Sequence, residues 1–327
     1  MDPVEIVLIV VGALLLSGIG FYLFAMMYAA HCVYIQTLSR ETPESWGREN
    51  HWPDEEHQTM DAEGMQWYDE FAAFKKDVHI VRDGLNLYGE YFDFGHDRCV
   101  MILSGRTESL RYGYYFSRPY SDSGYNVLVV DPRGHGLSDG RFNTIGFEES
   151  KDALAWVRFI HEEYGVRSVI FHGICIGAAA GMLAITSDDC PDYLDAIVTE
   201  GMYANFACSM TNNLIQRGRN YPLLLQCIDF WMKHYTHHSG MTGPIDVIHK
   251  LHKPLLMIQG AEDNASPAEN GVKLFRKCPS AHKYFELMPR GGHSMLRYTD
   301  REKYDNAIKN FLKTLHYLKK EGIRDAR

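Results

Sequence analysis

The chain has 327 residues, 46% hydrophobic and 23% charged, enough for one large domain with a sizeable core and a small addition. A formal net charge of −9 and a pI near 6.0 leave no basic footprint and argue against nucleic acid as a partner. The seven cysteines (Cys32, Cys99, Cys175, Cys190, Cys208, Cys227, Cys278) are scattered without a C-x-x-C pair, so neither a disulfide framework nor a zinc site is indicated, and reduced thiols point to a reducing compartment.

Ile6 to Ala30 is an uncharged apolar run of 25 residues. At ~1.5 Å per residue it exceeds the ~30 Å hydrocarbon core of a bilayer. A cleaved leader would need a basic n-region, and this chain begins Met1-Asp2-Pro3-Val4-Glu5. Residues 1–32 are therefore read as a single uncleaved membrane anchor. Only acids precede the span, whereas Arg40 and Arg48 follow it, so the positive-inside rule places the bulk of the chain in the cytoplasm. Residues 33–77 are polar and acidic with interspersed aromatics. They read as a juxtamembrane linker, with a helix over Glu63–Lys75 leading into the domain.

Beyond the linker, Val78–Arg82 and Asn86–Asp93 predict a hairpin around Asp83-Gly84. Apolar strands follow at Arg98–Ser104 and Tyr125–Asp131, and Phe147–Tyr164 has helical periodicity. Arg167–His172 predicts another buried strand, the small-residue run Ala178–Ala184 a helix packed closely on a sheet, and Leu194–Thr199 a further strand. Strands alternating with helices, each strand apolar throughout, mean a mostly parallel sheet covered on both faces. The helix-prone, aromatic-rich stretch 203–251 breaks that rhythm and is read as a helical cap between core segments 78–202 and 252–327. In the second segment Lys253–Gly260 and Lys283–Met288 predict strands, and Ala268–Lys277 and Arg301–Lys319 predict helices.

One pentapeptide organises these elements. Gly173-Ile174-Cys175-Ile176-Gly177 joins a strand to a helix with glycines two before and two after its centre, the spacing of a nucleophile elbow. Alone, it fits a plain turn with a buried thiol equally well. Two later residues argue otherwise. Asp263 follows a strand in Gly260-Ala261-Glu262-Asp263-Asn264, with Glu262 as a rival acid, and His293 follows the last strand in Gly291-Gly292-His293-Ser294. The order nucleophile, acid, histidine is that of one particular triad architecture. His234, His237 and His238 form the one histidine cluster; it is not read as a metal site, and no cofactor is expected.

With the elbow, the Asp131-Pro132-Arg133-Gly134-His135-Gly136-Leu137-Ser138 run, Gly260–Asp263 and Gly292-His293, the chain resembles the α/β-hydrolase superfamily over residues 78 to 320. Within it, the chain looks most like bacterial hydrolases with an N-terminal membrane span and a domain of the serine aminopeptidase (S33) type. The nucleophile departs from serine, as in the resembling dienelactone hydrolases. The resemblance implies an oxyanion hole from the backbone amides of Arg106 and Ile176, although Ser104-Gly105 stands where the family usually has His-Gly. It also implies a Cys175–His293–Asp263 triad acting on a small-molecule acyl substrate. A thiolate at a helix start suits thioesters, lactones and simple esters better than amides, and the anchor and apolar cap suggest a lipid-like acyl group. An acyltransferase with the same triad and an inactive binding protein of the same fold stay open as alternatives.

Overall fold

The computed structural model describes residues 2–42, 44–48 and 54–320. Residues 49–53 of the expected linker and 321–327 of the expected core lie outside the described residues.

Helix α1 runs unbroken over Pro3–Leu38. Asp2 caps it and Glu5 completes a capping box. From Pro3 to Phe24 almost every side chain is exposed, and this part is long and apolar enough to cross a membrane. The last third of the same helix is packed: Ala30, Tyr34 and Leu38 are fully buried. Helix α2 (Glu55–Phe71) starts earlier than the sequence suggested, because Asp54 accepts the His57 amide as an N-cap, and it buries Met60 and Trp67.

The core is one sheet of β1 (Lys75–Arg82), β2 (Leu85–Phe92), β3 (Arg98–Leu103), β4 (Asn126–Val130), β5 (Ser168–Ile174), β6 (Leu194–Glu200), β7 (Leu255–Gly260) and β8 (Lys283–Met288), in the order β1-β2-β4-β3-β5-β6-β7-β8. Antiparallel pairing is confined to the β1–β2 hairpin and the β2–β4 contact; the rest is parallel. Strand residues alternate between two apolar layers, as a period of two requires. Val100, Ile102, Val127 and Val129 face one layer and Met101, Leu103, Leu128 and Val130 the other.

The first layer is closed by α2, by the short helices α3 (Arg111–Tyr115) and α4 (Arg118–Ser121), to which the sequence reading assigned no element, and by the C-terminal helix. The second is closed by α5 (Phe147–Tyr164) and α6 (Ile176–Ile185). Helix α6 approaches the sheet closely: a Cβ on Gly181 would sit 2.4 Å from the Phe171 ring. That approach explains the small-residue run.

The expected cap is α7 (Phe206–Gln216), α8 (Leu224–Thr236) and the short α9 (Pro244–Val247). The remaining helices are α10 (Ala268–Lys277), the short α11 (Leu296–Thr299) and α12 (Arg301–Lys320). A third apolar cluster joins the cap to the packed third of α1, through Tyr34, Leu38, Phe206, Met210, Ile228 and Met232. Polar contacts fix this seam. The Trp231 indole donates to the Met27 carbonyl (2.9 Å), His31 Nε2 meets the Tyr235 hydroxyl (2.9 Å), and Tyr34 stacks on Tyr235 with centroids 5.3 Å apart. The chain from 33 to 38 is thus helical and docked on the cap, where the sequence had suggested the start of a linker.

Candidate active site

Cys175 sits between the end of β5 and the first residue of α6, at φ 55° and ψ −114°. A non-glycine residue seldom adopts this conformation, and strain of this kind persists only where the surroundings over-determine it. Here they do. The Cys175 N–H donates to the Glu200 carbonyl (2.9 Å), and Cys175 carbonyl oxygen accepts from Ala178 and Ala179. The flanking glycines are obligatory by distance: a Cβ on Gly177 would lie 2.1 Å from the Leu103 carbonyl oxygen, and one on Gly173 would lie 2.5 Å from Ala178 backbone. The thiol is partly exposed, at the positive end of α6.

His293 lies in the loop after β8, and its Nδ1 is 2.8 Å from Asp263 Oδ2. Asp263 is held from its other oxygen, which accepts the amides of Ala265 (2.9 Å) and Ser266 (2.7 Å). Glu262, the rival acid, instead accepts the Gly291 amide (3.2 Å) and does not meet the imidazole. The buried Nε2 of His293 makes no hydrogen bond of regular geometry, while the Cys175 side chain is near enough to act on it. Burial by itself disfavours the imidazolium, but the Cys175 and Asp263 side chains outweigh it and hold His293 well above the usual histidine range. The sequence-predicted Cys175, Asp263 and His293 are therefore brought together. A Cβ on Gly201 would come within 3.2 Å of the His293 ring, so the strand end that carries it leaves room only for glycine.

Arg106 and Ile176 flank the thiol, and among the described residues neither backbone N–H is taken by a hydrogen bond. The loop that presents Arg106 is braced from three sides. Glu108 accepts the Gly105 amide (3.0 Å), His135 Nε2 accepts the Thr107 amide (3.2 Å), and Asp131 accepts the Leu110 amide (2.7 Å). This gives the Asp131–Ser138 run a physical role: Asp131 also accepts from Leu137 (2.9 Å), Arg133 pairs with Asp152 (2.7 Å), and His135 stacks on Trp46 with centroids 4.5 Å apart. Burial pushes His135 down to about 4, so it stays neutral and able to accept.

The cavity over the thiol has a volume of about 350 Å³. Its wall includes residues that sequence reasoning missed: Gln36 and Thr37 from α1, His57 from α2, Glu108, and Arg217 and Arg219 after α7. No periodicity or motif marks them, because they converge from four separate segments. Glu108 is buried, and desolvation raises its carboxyl to about 7. The apolar residues of the cap pack against α1 and the head of α6, whereas the wall facing the thiol is largely polar.

A family model described as the α/β-hydrolase fold matches residues 99–226. Among curated proteins, the uncharacterized protein YqkD of Bacillus subtilis is 26% identical over 261 residues, spanning 77% of this chain and 84% of that protein. The bem46 protein of Schizosaccharomyces pombe is 26% identical over 177 residues, 54% of each chain. Among solved structures, the Pyrococcus furiosus esterase Pf2001 matches with a TM-score of 0.62 at 21% identity, covering 76% of this chain and 95% of the esterase. Est1E of Butyrivibrio proteoclasticus, solved with ferulic acid bound, matches with a TM-score of 0.56 at 20% identity, covering 72% and 98%. The sheet order, the strand-to-helix elbow and these matches together show that the chain has the α/β-hydrolase fold.

Proposed function

We propose that the protein is a membrane-anchored hydrolase that cleaves an ester or thioester through Cys175, His293 and Asp263. The observation that carries the reading is the strained Cys175 at the head of α6, with the Asp263-bound imidazole of His293 beside it. The Cys175 sulfur attacks the substrate carbonyl carbon, its proton residing on His293. The resulting oxyanion faces the open amides of Arg106 and Ile176. Collapse breaks the bond to the alcohol or thiol, which leaves with the proton from His293. Water, deprotonated by His293, then attacks the acyl thioester, releasing the carboxylic acid and restoring the thiol. Asp263 orients the imidazole and stabilises its charged form throughout.

The apolar exposed part of α1 supports a single membrane span, and the packing of its last third supports a catalytic domain held against the bilayer surface. Arg40 and Arg48 on the domain side support a cytoplasmic domain. Full-length protein in detergent, assayed on p-nitrophenyl esters and acyl thioesters, tests the reading. Turnover that vanishes in Cys175→Ala and His293→Ala supports it. Undiminished turnover in Cys175→Ala, or a folded protein with no turnover and an unreactive Cys175, overturns it.

A further inference from the structure

The charge of the cavity runs against that of the chain. The protein carries a net −9, yet Arg106, Arg217 and Arg219 all line the 350 Å³ space above Cys175. Among the described residues, no carboxylate stands within ion-pair distance of any of the three. Arg106 is the most telling. It is partly buried, and burial disfavours its charge. A guanidinium in such a place is normally paired. Its one hydrogen bond is from Nη1 to the Thr37 carbonyl (3.1 Å), near the end of α1. That contact satisfies one open carbonyl of a helix end and leaves the rest of a five-donor fork over. The carboxyl in the wall, Glu108, is committed to the Gly105 amide and carries a raised pKa, so it does not neutralise three guanidiniums.

We infer that the substrate hydrolysed at Cys175 bears an anionic group, a phosphate or carboxylate, gripped by Arg106, Arg217 and Arg219. The inference rests on the hydrolase reading and narrows it. Planar guanidinium forks match the paired oxygens of both anions, and charge-assisted hydrogen bonds are the strong ones. The locally positive cavity in a negative protein concentrates such a substrate where a neutral ester gains nothing. Gln36 and Thr37, from the same helix whose earlier part is exposed and apolar, form part of the wall. The headgroup of an anionic lipid and a small soluble anion share this chemistry.

The test compares matched pairs on full-length protein in detergent. A monoacylglycerol is set against the same monoacylglycerol 3-phosphate, once with a butanoyl chain in solution and once with a long chain in mixed micelles. The expected result is a kcat/KM about tenfold higher for the phosphate member. In Arg217→Gln/Arg219→Gln, whose positions are exposed, that ratio falls towards one. A preference confined to the long-chain pair identifies a lipid; one present in both pairs identifies the anion alone. A ratio of one or below in the parent, with neutral ester still turned over, overturns the inference and leaves the hydrolase reading standing. Cys175→Ala protein provides a second readout that needs no turnover. The non-hydrolysable alkyl ether phosphate is expected to bind more tightly than the neutral ether, and the arginine variant is expected to erase the difference. Equal binding of the two ethers overturns the inference whatever the fate of the triad.

Discussion

Glu200 is the buried acid beneath the elbow, and it makes the protein's stability depend on pH in a defined direction. Its carbonyl oxygen holds the Cys175 amide (2.9 Å), and its carboxyl accepts the Tyr304 hydroxyl (2.5 Å) and, at longer range, the Leu296 amide (3.4 Å). Desolvation outweighs these bonds and raises the carboxyl from 4.5 to about 7. The native protein thus keeps a proton that the unfolded chain releases. The Glu200 contribution to stability is fullest below pH 4.5 and declines as pH rises through about 7. At about 1.4 kcal/mol per pH unit, the window is worth about 3 kcal/mol. Glu200→Gln does not titrate, and whatever its amide costs against Tyr304 and Leu296 is constant with pH. The stability of the variant minus that of the parent is therefore expected to grow by about 3 kcal/mol from acid to pH 8, measured by urea unfolding of full-length protein in detergent. Glu108 titrates in both proteins and cancels. A difference that stays flat within about 0.5 kcal/mol, or that grows on acidification, refutes the assignment of Glu200 as a neutral buried acid.

Asp263→Asn is expected to lower kcat on a thioester by roughly 10³–10⁴-fold with near-normal stability. Ala265 and Ser266 demand an acceptor at Oδ1, so the new amide nitrogen faces His293 Nδ1 and forces the proton onto Nε2, where it blocks deprotonation of Cys175. Gly177→Ala is expected to abolish native near-ultraviolet circular dichroism or turnover, since its Cβ would lie 2.1 Å from the Leu103 carbonyl. Trp231→Phe removes the bond to the Met27 carbonyl and part of the ring that packs on His31 and Tyr235, and is expected to cost at least about 1 kcal/mol, a fall in Tm of roughly 2–4 °C or more.

The longer helices and the strands of the core were legible because each is a run of one period bounded by turn residues. Phe147–Tyr164, Ala268–Lys277 and Lys283–Met288 have the same limits in the sequence reading and in the structure. Arg111–Ser121 received no assignment from the sequence, because helices of five and four residues, as α3 and α4 are, are too short to display a helical period. The elbow was legible for a different reason. Its glycines are dictated by contacts of 2.1 to 2.5 Å that no other residue survives, and such constraints print themselves on the sequence. Arg217 and Arg219 face no such constraint. Their place over Cys175 follows from the path of the cap, which is a matter of tertiary packing.

Helix α1 links the long apolar run to the candidate site. A membrane span need only be long and apolar, and the run to Phe24 meets that with its side chains exposed. Nothing in that requirement calls for Trp231, His31, Tyr34 and Tyr235 to lock the following turns onto the cap. Nor does it call for the Thr37 carbonyl to hold Arg106, which lines the cavity together with Cys175. Because the helix is continuous through Leu38, any tilt imposed on the span is transmitted to the wall of the cavity and to the loop carrying Arg106. A helix long and apolar enough to cross a bilayer therefore also holds a cationic side chain in the cavity over Cys175. A chain cut within α1 after Gln36 and Thr37 loses part of the wall of its candidate site along with the long apolar run.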